Sequence, residues 1–197
     1  SSWEAFPGVD PRWSRTVDAP SHAACEPVPG TTRRWHLLDN QAVLQEQGKT
    51  PAGTILAVHG NPTWSWLWRS LLAETVRRAR RGMAAWRVVA PDQLDMGFYE
   101  RLAHPGHPAA ASMGRDGDTY RSLGARIDDL DALLETLGLR DLAATGHPLI
   151  TLGHDWGGVV SLGWAGRNPE LVDGVATLNT AVHHPEGAPI PAPLQAA

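Results

Sequence analysis

The segment with the clearest chemical potential is Gly153-His154-Asp155-Trp156-Gly157. It lies between an apolar run that predicts a buried strand and a segment with helical spacing. Small residues flanking one reactive side chain are typical of the sharp strand-to-helix turn that presents a catalytic nucleophile, because larger side chains would collide with neighbouring backbone. The pattern predicts that Asp155 projects above a helix N-terminus, where free N–H groups and the helix dipole favour negative charge.

An aspartate at this position selects the chemistry. A serine would need a base to remove its proton, whereas a carboxylate is ionised at neutral pH. Asp155 is therefore suited to displacing a good leaving group from a saturated carbon, which would leave an ester between substrate and enzyme. Water activated by a histidine would then attack that ester, and the resulting oxyanion needs N–H donors.

Two positions supply candidate donors. The backbone N–H of Trp156 is one by its place in the turn, and Asn61 follows an earlier predicted strand, where the second donor is expected. The side chains of both residues also carry N–H groups. If these point into a dry pocket, they would hold a departing anion.

The neighbours of these donors are the candidate substrate-binding residues. We expect His154 to pack or hydrogen-bond locally rather than act as a base, and His59 to have a similar supporting role. The tryptophans of 64–68 fit an apolar pocket and a packed core equally well. The candidate substrate-binding set is His59, Gly60, Pro62, Trp64 and His154.

Other reactive side chains have simpler interpretations. His104 and His107 lack an accompanying carboxylate or cysteine cluster, so they are interpreted as loop histidines and no metal site is expected. Ser112 has a nucleophile-like context but no preceding strand. Asp92 ends a strand near the site and is interpreted as a turn cap rather than a support for the site. No glycine-rich nucleotide motif is present, so no cofactor is expected.

The predicted secondary-structure elements that position these residues alternate between strands and helices. Apolar strands separated by helices predict a mostly parallel sheet covered by helices, an α/β fold. The predicted strands are 31–39 as an edge strand, 42–47 as its hairpin partner, 53–60, 86–92, 148–154 and 172–182, and the predicted helices are 63–80, 120–139 and 157–167. Residues 1–30 are interpreted as an irregular leader, 31–182 as the folded unit, and 183–197 as the start of a linker.

The amino-acid composition narrows the class of protein and the partners that it can bind. The chain has 197 residues, 42% of them hydrophobic, and a net charge of −4, which argues against nucleic acid or an anionic membrane as a partner. The single cysteine, Cys25, cannot form an intramolecular disulfide. No apolar run is long enough for a signal peptide or a membrane span, so a soluble cytoplasmic protein is expected.

Three motifs carry a family resemblance. The segments "HGNPTWSWLWR", "VVAPDQLDMGF" and "LGHDWGG" resemble the haloalkane dehalogenase branch of the α/β-hydrolase fold, over about Trp35 to His184. The resemblance implies that Asp155 is the nucleophile and that Asn61 and Trp156 are the leaving-group and oxyanion donors. Epoxide hydrolases share part of these motifs, but the asparagine in "HGNP" favours dehalogenases.

The segments "WEAFPGVDPRWSR", "TTRRWHLLD", "DQLDMGF" and "LNTAVHHPEG" are more similar to β-lactone decarboxylases of bacterial long-chain olefin biosynthesis. This resemblance implies a small hydrophobic substrate, a cis-β-lactone that loses carbon dioxide to give a cis-alkene. It also implies fusion to, or a complex with, an adenylate-forming β-lactone synthetase in some members. The alternatives are a haloalkane dehalogenase, an epoxide hydrolase, and an inactive fragment or interaction module.

Members of this family continue with a helical cap, two further strands, an acid and the catalytic histidine. The resemblance therefore implies an α/β-hydrolase core truncated before the cap domain and the last strands, with 183–197 leading towards the cap. His183 and His184 follow the wrong strand to be the base, so the acid and the histidine are expected beyond Ala197. Alone, the chain is expected to be alkylated at Asp155 at most.

Overall fold

The structure is a computed structural model that describes residues 6–23, 26, 29–98 and 121–180. Within these ranges a six-stranded sheet is flanked by helices. The strands are β1 (Ser14–Pro20), β2 (Thr32–Asp39), β3 (Gly53–Val58), β4 (Trp86–Pro91), β5 (Leu149–His154) and β6 (Gly174–Leu178). The helices are α1 (Gln41–Glu46), α2 (Arg69–Arg80), α3 (Leu123–Thr136), α4 (Leu139–Ala144) and α5 (Trp156–Arg167), with short 3-10 turns at Pro11–Trp13, Ser65–Trp68 and Pro169–Leu171.

The strand order is β1-β2-β4-β3-β5-β6. Strands β4, β3, β5 and β6 run parallel, while β1 and β2 are antiparallel to their neighbours. The chain leaves β3 to form β4 on one side and returns to form β5 on the other. In an open α/β sheet, such a reversal opens a crevice at the carboxyl ends of the strands, where ligands bind.

The core forms two layers, one on each face of the sheet. Leu56 and Val58 of β3 pack with α3 and α5, whereas Ala57, between them, packs on the opposite face with α2. This alternation within one strand is what a sheet covered on both faces requires. The predicted α/β class is confirmed.

Two predictions in the first part of the chain are wrong. The leader predicted to be irregular contains β1, which pairs with β2 from Ser14↔Leu38 to Pro20↔Thr32, so β2 is not an edge strand. Of the seven residues of β1 only Ala19 is buried, and backbone pairing rather than an apolar pattern defines this strand.

The segment predicted as the hairpin partner of β2 is the helix α1. The side chain of Asn40, just before it, accepts from the N–H of Val88 and donates to the carbonyl of Trp86. These bonds complete the pairing with β4 at that point, so the chain turns away and forms a helix.

The predicted helices are present with adjusted starts. The segment 63–80 begins as the 3-10 turn and continues as α2, and α3 ends before Gly138, whose φ of 68° is left-handed. Leu123, the first residue of α3, is 38% exposed. No helix in the described ranges has the length and apolar character needed to cross a membrane.

Candidate active site

The register of the parallel strands brings the two sequence motifs together. Val58, the last residue of β3, pairs with Gly153 near the end of β5. The loop 59–64 therefore leaves the sheet beside the turn that carries Asp155. Two segments about ninety positions apart in sequence meet at one carboxyl edge, as the sequence predicted.

Asp155 forms the tip of the strand-to-helix turn between β5 and α5. Its φ of 53° and ψ of −126° lie outside the regions that ordinary residues favour. Its carbonyl oxygen accepts from the N–H of Gly158 at 2.9 Å and from Oγ1 of Thr180 at 2.7 Å. These contacts hold a strained backbone in place, and such strain concentrates at functional sites.

The carboxylate of Asp155 is held by backbone donors. The N–H of Asn61 donates to Oδ2 at 3.0 Å. Hydrogen bonds from the N–H groups of Trp156 and Asn61 lower the pKa of Asp155 below its ordinary value, against a smaller effect of burial. The side chain is therefore a carboxylate at neutral pH. Its partners are the backbone N–H groups that were expected to stabilise an oxyanion. In this structure they bind the Asp155 carboxylate itself.

Close packing explains the glycines around this turn. A Cβ at Gly60 would lie 2.4 Å from Cβ of Asp155, and a Cβ at Gly157 would lie 2.2 Å from the carbonyl oxygens of Val58 and His59. Either added atom would separate the two loops. Gly60 is therefore required at this position because it has no side chain. Only its backbone can contact a substrate.

His59 is a buried structural residue. Its side chain is 0% exposed, so its predicted contact with substrate is wrong and its predicted supporting role fits. Nε2 accepts from the N–H of Gln93 at 2.8 Å, which leaves Nδ1 to donate to the carbonyl of Gly60 at 2.8 Å. Burial lowers the pKa of His59 and keeps the ring neutral. The ring joins the loop after β3 to the loop after β4.

Asp92 does more than cap a turn. It is fully buried, and its Oδ1 accepts from the N–H of Ser65 at 2.7 Å while its Oδ2 accepts from the N–H of Phe98 at 2.8 Å. Nδ1 of His36 lies 2.7 Å from the same Oδ2. Burial alone would raise the pKa of Asp92, but His36 and the two N–H groups outweigh it and lower the pKa. Asp92 anchors both loops of the site.

The other predicted residues differ in exposure and in the side chains that they contact. His154 is half-buried, and Pro62 is exposed beside Asn61. Trp64 packs edge-on against Phe6 and Phe98, with ring centroids 5.0 and 5.2 Å away. Trp68, by contrast, is buried in the core. The tryptophan segment is therefore divided between the core and an aromatic cluster beside the site.

A cavity of about 310 Å³ opens between the two donors. It brings Asn61 and Trp156 together with residues that the sequence reasoning missed. Helix α3 starts at the carboxyl edge because helices run back against the parallel strands, and this rule could have identified its first turns. The cavity is lined by Asn61, Gln93, Met96, Arg121, Leu123, Arg126 and Trp156.

The expected dryness of the pocket is not observed. Trp156 is 56% exposed and Asn61 is exposed, because no described element lies over this edge of the sheet. The described ranges contain no group of three potential metal-ligating side chains. Tyr99, His104, His107, Ser112, His183 and His184 lie outside the described residues.

Comparison with known proteins agrees with this arrangement. A cis-3-alkyl-4-alkyloxetan-2-one decarboxylase of Xanthomonas campestris pv. campestris is 32% identical over 136 residues, 69% of this chain and 39% of the relative. A haloalkane dehalogenase of Sphingobium indicum is 34% identical over 137 residues, 70% of this chain and 38% of the relative. The chain thus spans about two-fifths of the length of these relatives.

Solved structures share the fold. The haloalkane dehalogenase DatA from Agrobacterium tumefaciens C58 matches with a TM-score of 0.53 at 23% identity, covering 85% of this chain and 41% of that one. An epoxide hydrolase from Vigna radiata matches with a TM-score of 0.57 at 19% identity, covering 93% and 43%. The family model of the alpha/beta hydrolase fold matches residues 53–196. With its strand order, its turn at Asp155 and these relatives, the chain belongs to the α/β-hydrolase family.

Proposed function

We propose that this chain carries the nucleophile of an enzyme that converts a cis-3,4-dialkyl β-lactone into a cis-alkene and carbon dioxide. The observation that supports this most directly is the Asp155 carboxylate, held by the N–H groups of Asn61 and Trp156 beside a cavity. The relatives named as oxetan-2-one decarboxylases, at 30–32% identity, act on this class of compound by their names.

The first step is ring opening at a saturated carbon. Oδ1 of Asp155 attacks C4 of the lactone, the C4–O bond breaks, and its electron pair remains on the ring oxygen. The product is an ester between Asp155 and C4, with a free carboxylate on C3. Oδ2, hydrogen-bonded to Asn61, becomes the ester carbonyl oxygen. Release of ring strain and a carboxylate leaving group suit this reaction to a carboxylate nucleophile.

The second step regenerates the enzyme. The bond from C3 to its carboxylate breaks and releases carbon dioxide, and that electron pair forms the C3–C4 double bond as the C4–O bond to Asp155 breaks. Attack inverts C4, and an anti arrangement of the two breaking bonds then gives the cis-alkene. Neither step consumes water.

A haloalkane dehalogenase is the second candidate, favoured by the 34% identical relative and by the position of Asn61 and Trp156 on the cavity wall. The displacement would release halide and leave an alkyl ester. Its hydrolysis needs water and a base, and within the described residues no histidine hydrogen-bonds the Asp155 carboxylate. The acid and the histidine of this step remain a prediction for residues beyond Ala197.

Intact mass spectrometry and product analysis separate these candidates. The chain is incubated with a cis-dialkyl β-lactone or with a 1-bromoalkane, and Asp155→Asn serves as a control that is nearly identical in shape. The proposal expects alkene, or an adduct with the full mass of the lactone, and neither in the variant. Bromide release with an alkyl adduct and no reaction with lactone would instead establish the dehalogenase chemistry. A folded chain that forms no adduct and no alkene is an inactive fragment or interaction module, and the proposal is then wrong.

A further inference from the structure

Two arginines line the cavity beside Asp155, and neither has a role in the two candidate reactions described above. Arg121 and Arg126 both line it, together with Asn61 and Trp156. Arg121 is buried and Arg126 is only half-buried, and this difference in exposure distinguishes which of them a bound molecule can contact.

Arg121 is committed to the interior. Its side chain is 1% exposed and forms ion pairs with Glu26 and Asp129, the latter at 2.8 Å. The carboxylate of Asp129 is fully engaged, because its other oxygen accepts from Oγ of Ser21 at 2.7 Å. The charge of Arg121 is therefore balanced within the fold, and its substitution would leave the buried Asp129 carboxylate without its ion-pair partner.

Arg126 lies one turn into α3, after the Ser122 cap. Its side chain is half-buried and lines the same cavity as Asn61 and Trp156. A guanidinium presents its N–H groups as a planar fork that matches the two oxygens of a carboxylate. A halide is a single sphere, for which the side-chain N–H groups of the Asn61 amide and the Trp156 indole suffice.

We infer that Arg126 binds the carboxylate that leaves C4 when the lactone ring opens, and that it thereby favours a lactone over a haloalkane. This inference rests on the proposed function. In the ring opening, the C4–O electron pair moves onto the ring oxygen, and Arg126 receives the carboxylate formed there. Arg126 is thus a specificity-determining residue of the site.

Binding measurements test the site without requiring turnover. Decanoate and decan-1-ol have the same chain length and differ in the carboxylate. Calorimetry is expected to show that Arg126→Met weakens decanoate binding by about tenfold to a hundredfold, as loss of a charged hydrogen-bonding group implies, and leaves decan-1-ol binding unchanged. Arg126→Lys, which keeps the charge and loses the fork, should lie between. Arg80→Met, at the exposed end of α2, is the matched control and should bind as the wild type does.

Reaction rates test the selectivity. Arg126→Met should slow lactone opening by a larger factor than it slows alkylation by a 1-bromoalkane, and equal factors would overturn the assigned selectivity. Equal decanoate affinity in wild type and Arg126→Met would overturn the inference whatever the rates. If wild type forms no adduct and no alkene but binds decanoate through Arg126, the proposed function fails, and Arg126 remains a carboxylate site of different purpose.

Discussion

The backbone N–H of Asn61 donates to Oδ2 of Asp155 at 3.0 Å, joining two loops separated by 94 positions in the chain. This bond fixes the direction of the carboxylate before any substrate arrives. It also places an N–H donor on the oxygen that becomes the ester carbonyl oxygen. Preorganised donors of this kind stabilise developing charge without rearrangement during the reaction.

Adduct formation at Asp155 should be insensitive to pH across the neutral range. The N–H groups of Trp156 and Asn61 lower the pKa of Asp155 below its ordinary value of about 3.9, so the reactive carboxylate is fully present above that value and is lost only as pH falls through the lower folded pKa. The rate of adduct formation, followed by intact mass from about pH 8 to pH 5, should be constant. A fall centred on the histidine range would instead show that a histidine takes part in the attack.

The indole N–H of Trp156 should stabilise the departing anion. Trp156→Phe keeps an aromatic ring on the cavity wall and removes this donor, so alkylation by a 1-bromoalkane should slow by about a hundredfold, as loss of one such donor does elsewhere. The control is Trp66→Phe, because the Trp66 indole donates to the carbonyl of Pro7 instead. Equal alkylation rates in the two variants would exclude the indole from the reaction.

Two glycines of α5 should respond in opposite ways to alanine. Gly157→Ala places a Cβ against the backbone of β3 and its loop, and such overpacking should lower the free energy of unfolding by about 1–3 kcal/mol. Gly166 has no atom within 4 Å of an added Cβ, so Gly166→Ala should raise it by up to about 1 kcal/mol through helix propensity. Urea unfolding of both variants tests the pair. Equal effects would show that the contact at Gly157 relaxes without cost.

Asp92→Asn should destabilise the protein strongly. Asparagine keeps one oxygen, so its NH2 group faces either the N–H of Ser65 or the N–H of Phe98, and a buried donor left without an acceptor typically costs about 1–3 kcal/mol. Asp95→Asn, at an exposed position of the same loop with φ of 63°, should change stability by less than about 0.5 kcal/mol. Urea unfolding of both variants is the measurement. A small effect of Asp92→Asn would mean that the loops are held by other contacts.

The sequence predicted what depends on local pattern. The buried strands β3, β4 and β5, the largely exposed strand β6, the helices between them and the turn at Asp155 all have short-range signals, and the relative order of the motifs placed Asn61 next to Asp155. Strand β1 was missed because pairing with β2, rather than its own apolar residues, creates it. The place of Arg126 was missed because the start of α3 meets the site only once the sheet is assembled.

His59 and Asp92 were underestimated for a related reason. In a sequence, a polar side chain that becomes buried cannot be distinguished from an exposed one. Many of its hydrogen-bond partners are backbone groups, which the residue types do not reveal. Gln93, His36 and Ser65 became recognisable as partners only through distances.

The buried imidazole of His59 divides the site into an inner and an outer shell with different tolerance for change. Through it, the loops after β3 and β4 are tied to each other beneath the reacting surface. Engineers who wish to alter substrate preference can therefore randomise cavity-lining positions such as Met96 and Leu123, while the buried imidazole keeps the two loops in place in every variant.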